Sequence, residues 1–126
     1  MNNPITILYV DDEPINLMLF KASFNRKYNI ITAESGNEGL SQLKANPDTI
    51  VVISDMKMPG MNGIEFIRLA KLDFPNISFF ILTGFEITDE IYEALKEQLI
   101  HKYFRKPFDI DELEKAIIEA IEKLGR

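Results

Sequence analysis

Five short apolar runs, each followed by a stretch of helical spacing, set the tightest limit on what this chain can become. The runs are ITILYV (5–10), NIITA (29–33), IVVIS (50–54), SFFIL (78–82) and, more weakly, KYF (102–104). They are short and rich in Ile, Val, Phe and Tyr, as strands are. Three of them read as nearly continuous hydrophobics, the mark of a parallel sheet covered on both faces.

Helix signals fill the intervals. Asp12 with Pro14 opens the first helix, and Phe20 and Phe24 anchor its apolar face. Ser35 and Glu38 have capping-box spacing, with Leu40 and Leu43 behind them. Asn62-Gly63 precedes Ile64, Ile67 and Ala70, and Thr88 precedes Ile91, Ala94 and Leu95. Asp109 with Glu112 forms another box, and Ile110, Leu113, Ile117, Ile121 and Leu124 repeat at helical spacing. Five strands alternating with five helices predict an α/β, doubly wound (βα)5 flavodoxin-like fold. Its parallel sheet has the expected order 2-1-3-4-5, with helices on both faces and right-handed crossovers. The expected organisation is a single domain over 1–126, with its core at about 5–124.

Composition narrows the function classes. With no cysteine there is neither a disulfide framework nor a thiolate metal site. No apolar run approaches the ~20 residues of a membrane span, and MNNPITILYV lacks a basic leader, so a cytoplasmic location without membrane contact is expected. A net charge of −6 disfavours direct nucleic-acid binding and favours metal ions and basic partner surfaces.

In such a sheet ligands bind outside the carboxyl ends of the strands, at the switch point between the first and third. Asp11, Asp12 and Glu13 follow the first strand, Asp55 the third, Thr83 and Gly84 the fourth, and Arg105, Lys106 and Pro107 the fifth. The fold therefore gathers Asp11, Asp12 and Asp55 around one crevice, beside Thr83 and Lys106. Two like charges ~4 Å apart cost about 4 kcal/mol at an effective dielectric of about 20, so three carboxylates need counter-charge. Lys106 supplies part. A hard divalent cation, Mg²⁺ or Mn²⁺, suits a donor set made only of oxygens. Metal, ammonium and hydroxyl together suit a phosphoryl group, and a carboxylate can accept one as an aspartyl phosphate. Asp55 is the best candidate, standing alone on the central strand while Asp11 and Asp12 are paired as metal ligands would be.

YVDDEP, ISDMKMPGMNG, LTG and YFRKPF, in that order and spacing, resemble the signature of receiver domains of two-component response regulators. The resemblance runs from about Ile5 to Leu124. It implies that Asp55 accepts a phosphoryl group from a sensor histidine kinase or a histidine phosphotransfer protein. It implies Mg²⁺ on Asp12, Asp55 and the Lys57 backbone carbonyl, with Asp11 acting through water. Lys106 then pairs with the phosphoryl oxygens, and the Lys106–Pro107 bond is cis. Thr83 swings to the phosphoryl group and Tyr103 rotates inward. That changes the surface of the fourth helix, fifth strand and fifth helix, read by a downstream effector or a fused output domain. Lys57, Gly84 and Phe85 are expected to modulate phosphoryl lifetime, with Phe85 shielding the site from water and slowing self-dephosphorylation. Such a module is a phosphoacceptor switch with self-directed phosphoryl transfer and autodephosphorylation, not an enzyme acting on other substrates. The sequence departs from many receivers at Leu99-Ile100-His101-Lys102, where a Gly or Ala-Gly is common.

Plainer readings exist for each residue alone. Asp12 could cap a helix, Pro59-Gly60 a turn, and Tyr103 a half-buried sheet position. His101 reads as an exposed loop residue, and Met56, Met58 and Met61 as loop packing. Asn16, on the stripe of Phe20 and Phe24, either hydrogen-bonds near the site or satisfies backbone. The fifth helix could serve a phosphorylation-dependent homodimer, although its apolar stripe is more simply a packing side. A haloacid-dehalogenase-like phosphatase would need Asp-x-Asp after the first strand, and here Glu13 stands at the second place. A pseudo-receiver scaffold would not need all five site residues.

Overall fold

The computed structural model describes residues 5–84 and 86–125. Strands and helices alternate throughout: β1 Thr6–Val10, α1 Pro14–Phe24, β2 Asn29–Ala33, α2 Gly36–Ala45, β3 Val51–Asp55, α3 Gly63–Asp73, β4 Ser78–Thr83, α4 Asp89–Lys96, β5 Lys102–Arg105 and α5 Ile110–Lys123. The strands pair in parallel in the order β2-β1-β3-β4-β5. The expected fold is therefore the one observed. β1, β3 and β4 are buried at every residue, which is why their sequences do not alternate.

Successive side chains of a strand point to opposite faces, and the core divides accordingly. Ile7, Tyr9, Ile53, Phe80 and Leu82 pack under α1 and α5, against Phe20, Phe24, Leu113 and Ile117. Leu8, Val10, Val52, Phe79 and Ile81 pack under α2, α3 and α4, against Leu43, Ile64, Phe66 and Ile91. Fully burying one such side chain stabilises by ~1.5–3 kcal/mol, so the two layers are the main source of cohesion.

Helix starts follow the sequence signals, with corrections. Ser35, Asn62, Thr88 and Asp109 each accept a hydrogen bond from the backbone N–H three residues on. Among the described residues the box closes in both directions at Asn62 and Glu65, so Ser35/Glu38 and Asp109/Glu112 form only its forward half. Asp12 does not cap α1. Glu13 is the N-cap residue and makes no side-chain cap bond. Its N–H instead donates to Asp11 Oδ1 at 2.9 Å. On α5 the stripe is shifted: Ile110 and Leu124 are exposed, and Ala116 and Ala120 join Leu113 and Ile117 inside. No helix among the described residues is long and apolar enough to cross a membrane.

The strand ends matter most for function. Asp55 and Thr83 do not follow β3 and β4; they are the last residues of those strands, paired with Leu82 and Arg105. Asp11 follows β1 directly and its N–H still donates to Ala33 O at 3.1 Å. The backbone bearing each group is therefore held by the sheet.

Candidate functional site

Asp11, Asp12 and Asp55 converge as expected, with carboxylate oxygens all within 4.8 Å of one another. Lys106 reaches over from the loop after β5. Its Nζ lies 2.8 Å from Asp11 Oδ2 and 3.2 Å from Asp55 Oδ1. One ammonium thus bridges two of the three acids. The loop carrying it is fastened by Lys106 N–H donating to Thr83 O at 2.8 Å, and the Lys106–Pro107 peptide is cis, as expected.

Electrostatics differ across the cluster. Burial pushes the Asp55 carboxyl up to about 6; Lys106 opposes that rise, while Asp11 and Asp12 add to it. Burial acts to lower the Lys106 ammonium, but its bonds to Asp11 and Asp55 outweigh this and hold it above its ordinary value. Asp55 is only 6% exposed. A carboxylate of this kind is poised by neighbours rather than free in solvent.

Asp11 is fully buried and makes the most bonds of the three. Its Oδ2 accepts from Tyr9 Oη at 2.7 Å, from Lys106 Nζ at 2.8 Å and from Asn16 Nδ2 at 3.2 Å. Asn16 therefore bonds at the site, which resolves the two readings its position allowed. Tyr9 was absent from the sequence-based site. Its signal was present in the spacing, because residues two apart in a strand share a face. Burial and the neighbouring Asp11 raise the Tyr9 phenol far beyond its ordinary value, so it stays a donor.

The donor set fits a hard cation. Three carboxylates with oxygens this close leave excess negative charge after one lysine is counted. Lys57, in the loop after β3, is exposed. Thr83 is buried, and Tyr103 is half-buried against the cluster that holds Ile81, Ile91 and Ala94. A cavity of ≈ 440 Å³, lined by Met56, Lys57, Asn62, Thr83, Glu86 and Thr88, lies between the loops after β3 and β4. Gly84 is exposed, and Phe85 lies outside the described residues. Met56 and Met58 are buried in the core and Met61 packs on it, as loop packing predicts. His101 is not without partners: its ring meets Phe80 edge-on at 5.8 Å, and Lys123 Nζ lies 3.0 Å from its Nε2.

Comparison with known proteins agrees with this geometry. The family model for the response regulator receiver domain matches residues 7–118. Sporulation initiation phosphotransferase F of Bacillus subtilis is 39% identical over 88% of this chain and 89% of its own length. The DNA-binding transcriptional regulator NtrC of Klebsiella pneumoniae is 34% identical over 96% of this chain. This chain spans about a quarter of that regulator, and likewise of the hydrogenase transcriptional regulatory protein HoxA of Cupriavidus necator. Among solved structures, a response regulator receiver domain protein from Clostridium thermocellum superposes with a TM-score of 0.90 at 35% identity, covering 96% of this chain and 97% of that one. Fold, acidic crevice and relatives point one way: the chain belongs to the response regulator receiver domain family and is a phosphorelay signalling module of two-component systems.

Proposed function

We propose that Asp55 is the phosphoacceptor of this receiver. The observation that carries this is the Lys106 ammonium spanning Asp11 and Asp55 at the end of β3, with Asp12 alongside. An Asp55 oxygen forms a bond to phosphorus as the phosphorus–nitrogen bond of a donor phosphohistidine breaks. The electron pair stays on the departing imidazole. The donor is a histidine kinase or a histidine phosphotransfer protein. Asp12, Asp55 and the Lys57 carbonyl would hold Mg²⁺ or Mn²⁺, with Asp11 acting through water. When bound, the metal supplies positive charge to the phosphoryl oxygens. Lys106 pairs with those oxygens, and the chain catalyses only its own phosphorylation and dephosphorylation.

A protein donor, as opposed to a small metabolite, is supported by the flank of the site. Ile15, Met18 and Leu19 on α1 are each more than half exposed, and Ile110 at the start of α5 is 46% exposed. A groove of ≈ 470 Å³ lined by Leu19, Ile110, Phe108 and Lys106 leads from that ridge to the lysine. Exposed apolar side chains grouped in this way mark protein contact. The output runs through Thr83 and Tyr103. Thr83 moves to the phosphoryl group, Tyr103 turns into the vacated space, and the α4-β5-α5 surface changes for an effector in the cytoplasm or a fused output domain.

Intact mass after incubation with acetyl phosphate and Mg²⁺ tests the reading. Gain of one phosphoryl group is expected for the wild type, with none in Asp55→Asn or in EDTA. A gain that survives in the variant would place the acceptor elsewhere. No gain by a folded wild type would favour a scaffold.

A further inference from the structure

Three donors share one oxygen of Asp11, and two of them belong to residues with no assigned part in the chemistry. Tyr9 Oη, Lys106 Nζ and Asn16 Nδ2 all bond Oδ2, while Glu13 N–H takes Oδ1. A carboxylate has about four acceptor sites over both oxygens, so Oδ2 carries more donors than its share. We propose that Tyr9 and Asn16 are positioning residues that act through Asp11 to keep Lys106 transferable to a phosphoryl group on Asp55. This rests on Asp55 being the acceptor.

The physical reason is competition. An ammonium bond to a fully buried carboxylate is strong because little water screens its acceptor end. Asp11 has no solvent exposure, so a missing donor there is not replaced by bulk water. If Lys106 were the principal donor to Oδ2, the pair would hold the ammonium on Asp11. Two neutral donors on the same oxygen divide its charge and weaken that hold. Lys106 already lies 3.2 Å from Asp55 Oδ1 and needs only a small displacement to follow charge arriving there.

The donors are held rigidly. The Tyr9 ring stacks on Phe20 with centroids 4.2 Å apart and planes 13° apart. Phe20 in turn meets Phe108 at 5.8 Å, two residues beyond Lys106. Asn16 approaches from the first turn of α1. The plainer reading is that a buried tyrosine hydroxyl takes whatever acceptor is near. That reading predicts no effect on Lys106. Here the acceptor is the oxygen that Lys106 uses.

Tyr9→Phe keeps the ring and its stack and removes one donor. Two measurements separate positioning from packing: Mg²⁺ affinity by calorimetry, and the rate of phosphoryl gain from acetyl phosphate at saturating Mg²⁺. Loss of the donor leaves more negative charge on Asp11. Mg²⁺ should then bind a few-fold tighter, while phosphoryl gain slows by roughly threefold or more. Asn16→Ala removes the longer bond from a less buried position. It should shift both quantities the same way by less, and it provides the test if Tyr9→Phe does not fold. An unchanged rate at saturating Mg²⁺ overturns the proposal. A slower rate with unchanged or weakened Mg²⁺ binding also overturns it, because Asp11 has then gained no charge. If the wild type gains no phosphoryl group, the acceptor reading fails separately. The Mg²⁺ titration then decides alone: tighter binding in Tyr9→Phe upholds the action on Asp11, and unchanged or weaker binding refutes it.

Discussion

Gly63 packs directly against the backbone of Asp55. Its N–H donates to Met56 O at 2.8 Å, and a Cβ built there would collide with the backbone carbonyl oxygen of Asp55 and lie 2.8 Å from Ile81 Cδ1. The colliding atom is sheet backbone, which cannot move aside cheaply. Gly63→Ala should therefore destabilise by ~1–3 kcal/mol, measured by urea unfolding, and slow phosphoryl gain by displacing the end of β3. Unchanged stability would mean that the loop relaxes around the methyl group. Gly84→Ala is the contrast, since its Cβ would meet only Lys106 side-chain atoms at 3.8 Å. Asp55 carries the second residue-scale effect. In metal-free protein its carboxyl is raised from 3.8 to about 6, mainly by burial. A raised acid gives stability that is complete below the unfolded value and is lost as pH rises through about 6. Asp55→Asn, which cannot ionise, should thus unfold at higher temperature than the wild type at pH ~8 without metal. The gap is about 1–2 kcal/mol after allowing for solvent at the crevice mouth, and it closes toward pH ~4. Thermal scans at both pH values check it, and a gap independent of pH would refute it.

At the scale of elements, α4 is the least anchored helix. It has eight residues and buries Ile91 and Ala94. Polar straps join it to α3: Asn62 Nδ2 donates to Glu90 Oε1 at 3.3 Å, Arg68 pairs with Glu97 at 2.8 Å, and Lys71 Nζ donates to Gln98 O at 2.8 Å. The Arg68–Glu97 pair is exposed and contributes at most ~1 kcal/mol. The turn after α4 also answers the sequence departure before β5. Gln98, immediately before that stretch, takes the left-handed conformation, with φ 61°. Leu99 N–H then donates to Ala94 O at 2.9 Å and closes the helix end. That conformation costs a side-chain-bearing residue about 1–2 kcal/mol. Gln98→Gly should accordingly raise stability by about 1 kcal/mol in equilibrium unfolding, and a loss of stability would show that the Gln98 side chain contributes more than the turn costs. The same substitution leaves the Lys71 strap in place, because that bond is to the backbone carbonyl.

For the whole molecule, charge placement matters more than net charge. The chain is acidic overall at −6, yet three carboxylates are drawn to one sheet edge. At the opposite edge Lys71 and Lys123 stand near His101, whose pKa is lowered first by burial and then by those two lysines. Much of this was legible in the sequence. Near-continuous apolar runs with helical intervals determined a parallel sheet covered on both faces, and from it the strand order. That order placed Asp11, Asp12, Asp55, Thr83 and Lys106 at one edge. Such patterns are readable because periodicity and strand tips are local properties. Tertiary structure alone decided which partner each group chose. Asp12 gave up the cap of α1, and Asp11 Oδ2 collected Asn16 and Lys106 beside the Tyr9 hydroxyl that strand spacing already offered. Gln98 took the strained turn, and Ala116 and Ala120 displaced Ile110 and Leu124 from the buried stripe. These choices depend on how the elements sit against one another, which is set only when the two layers close on the sheet.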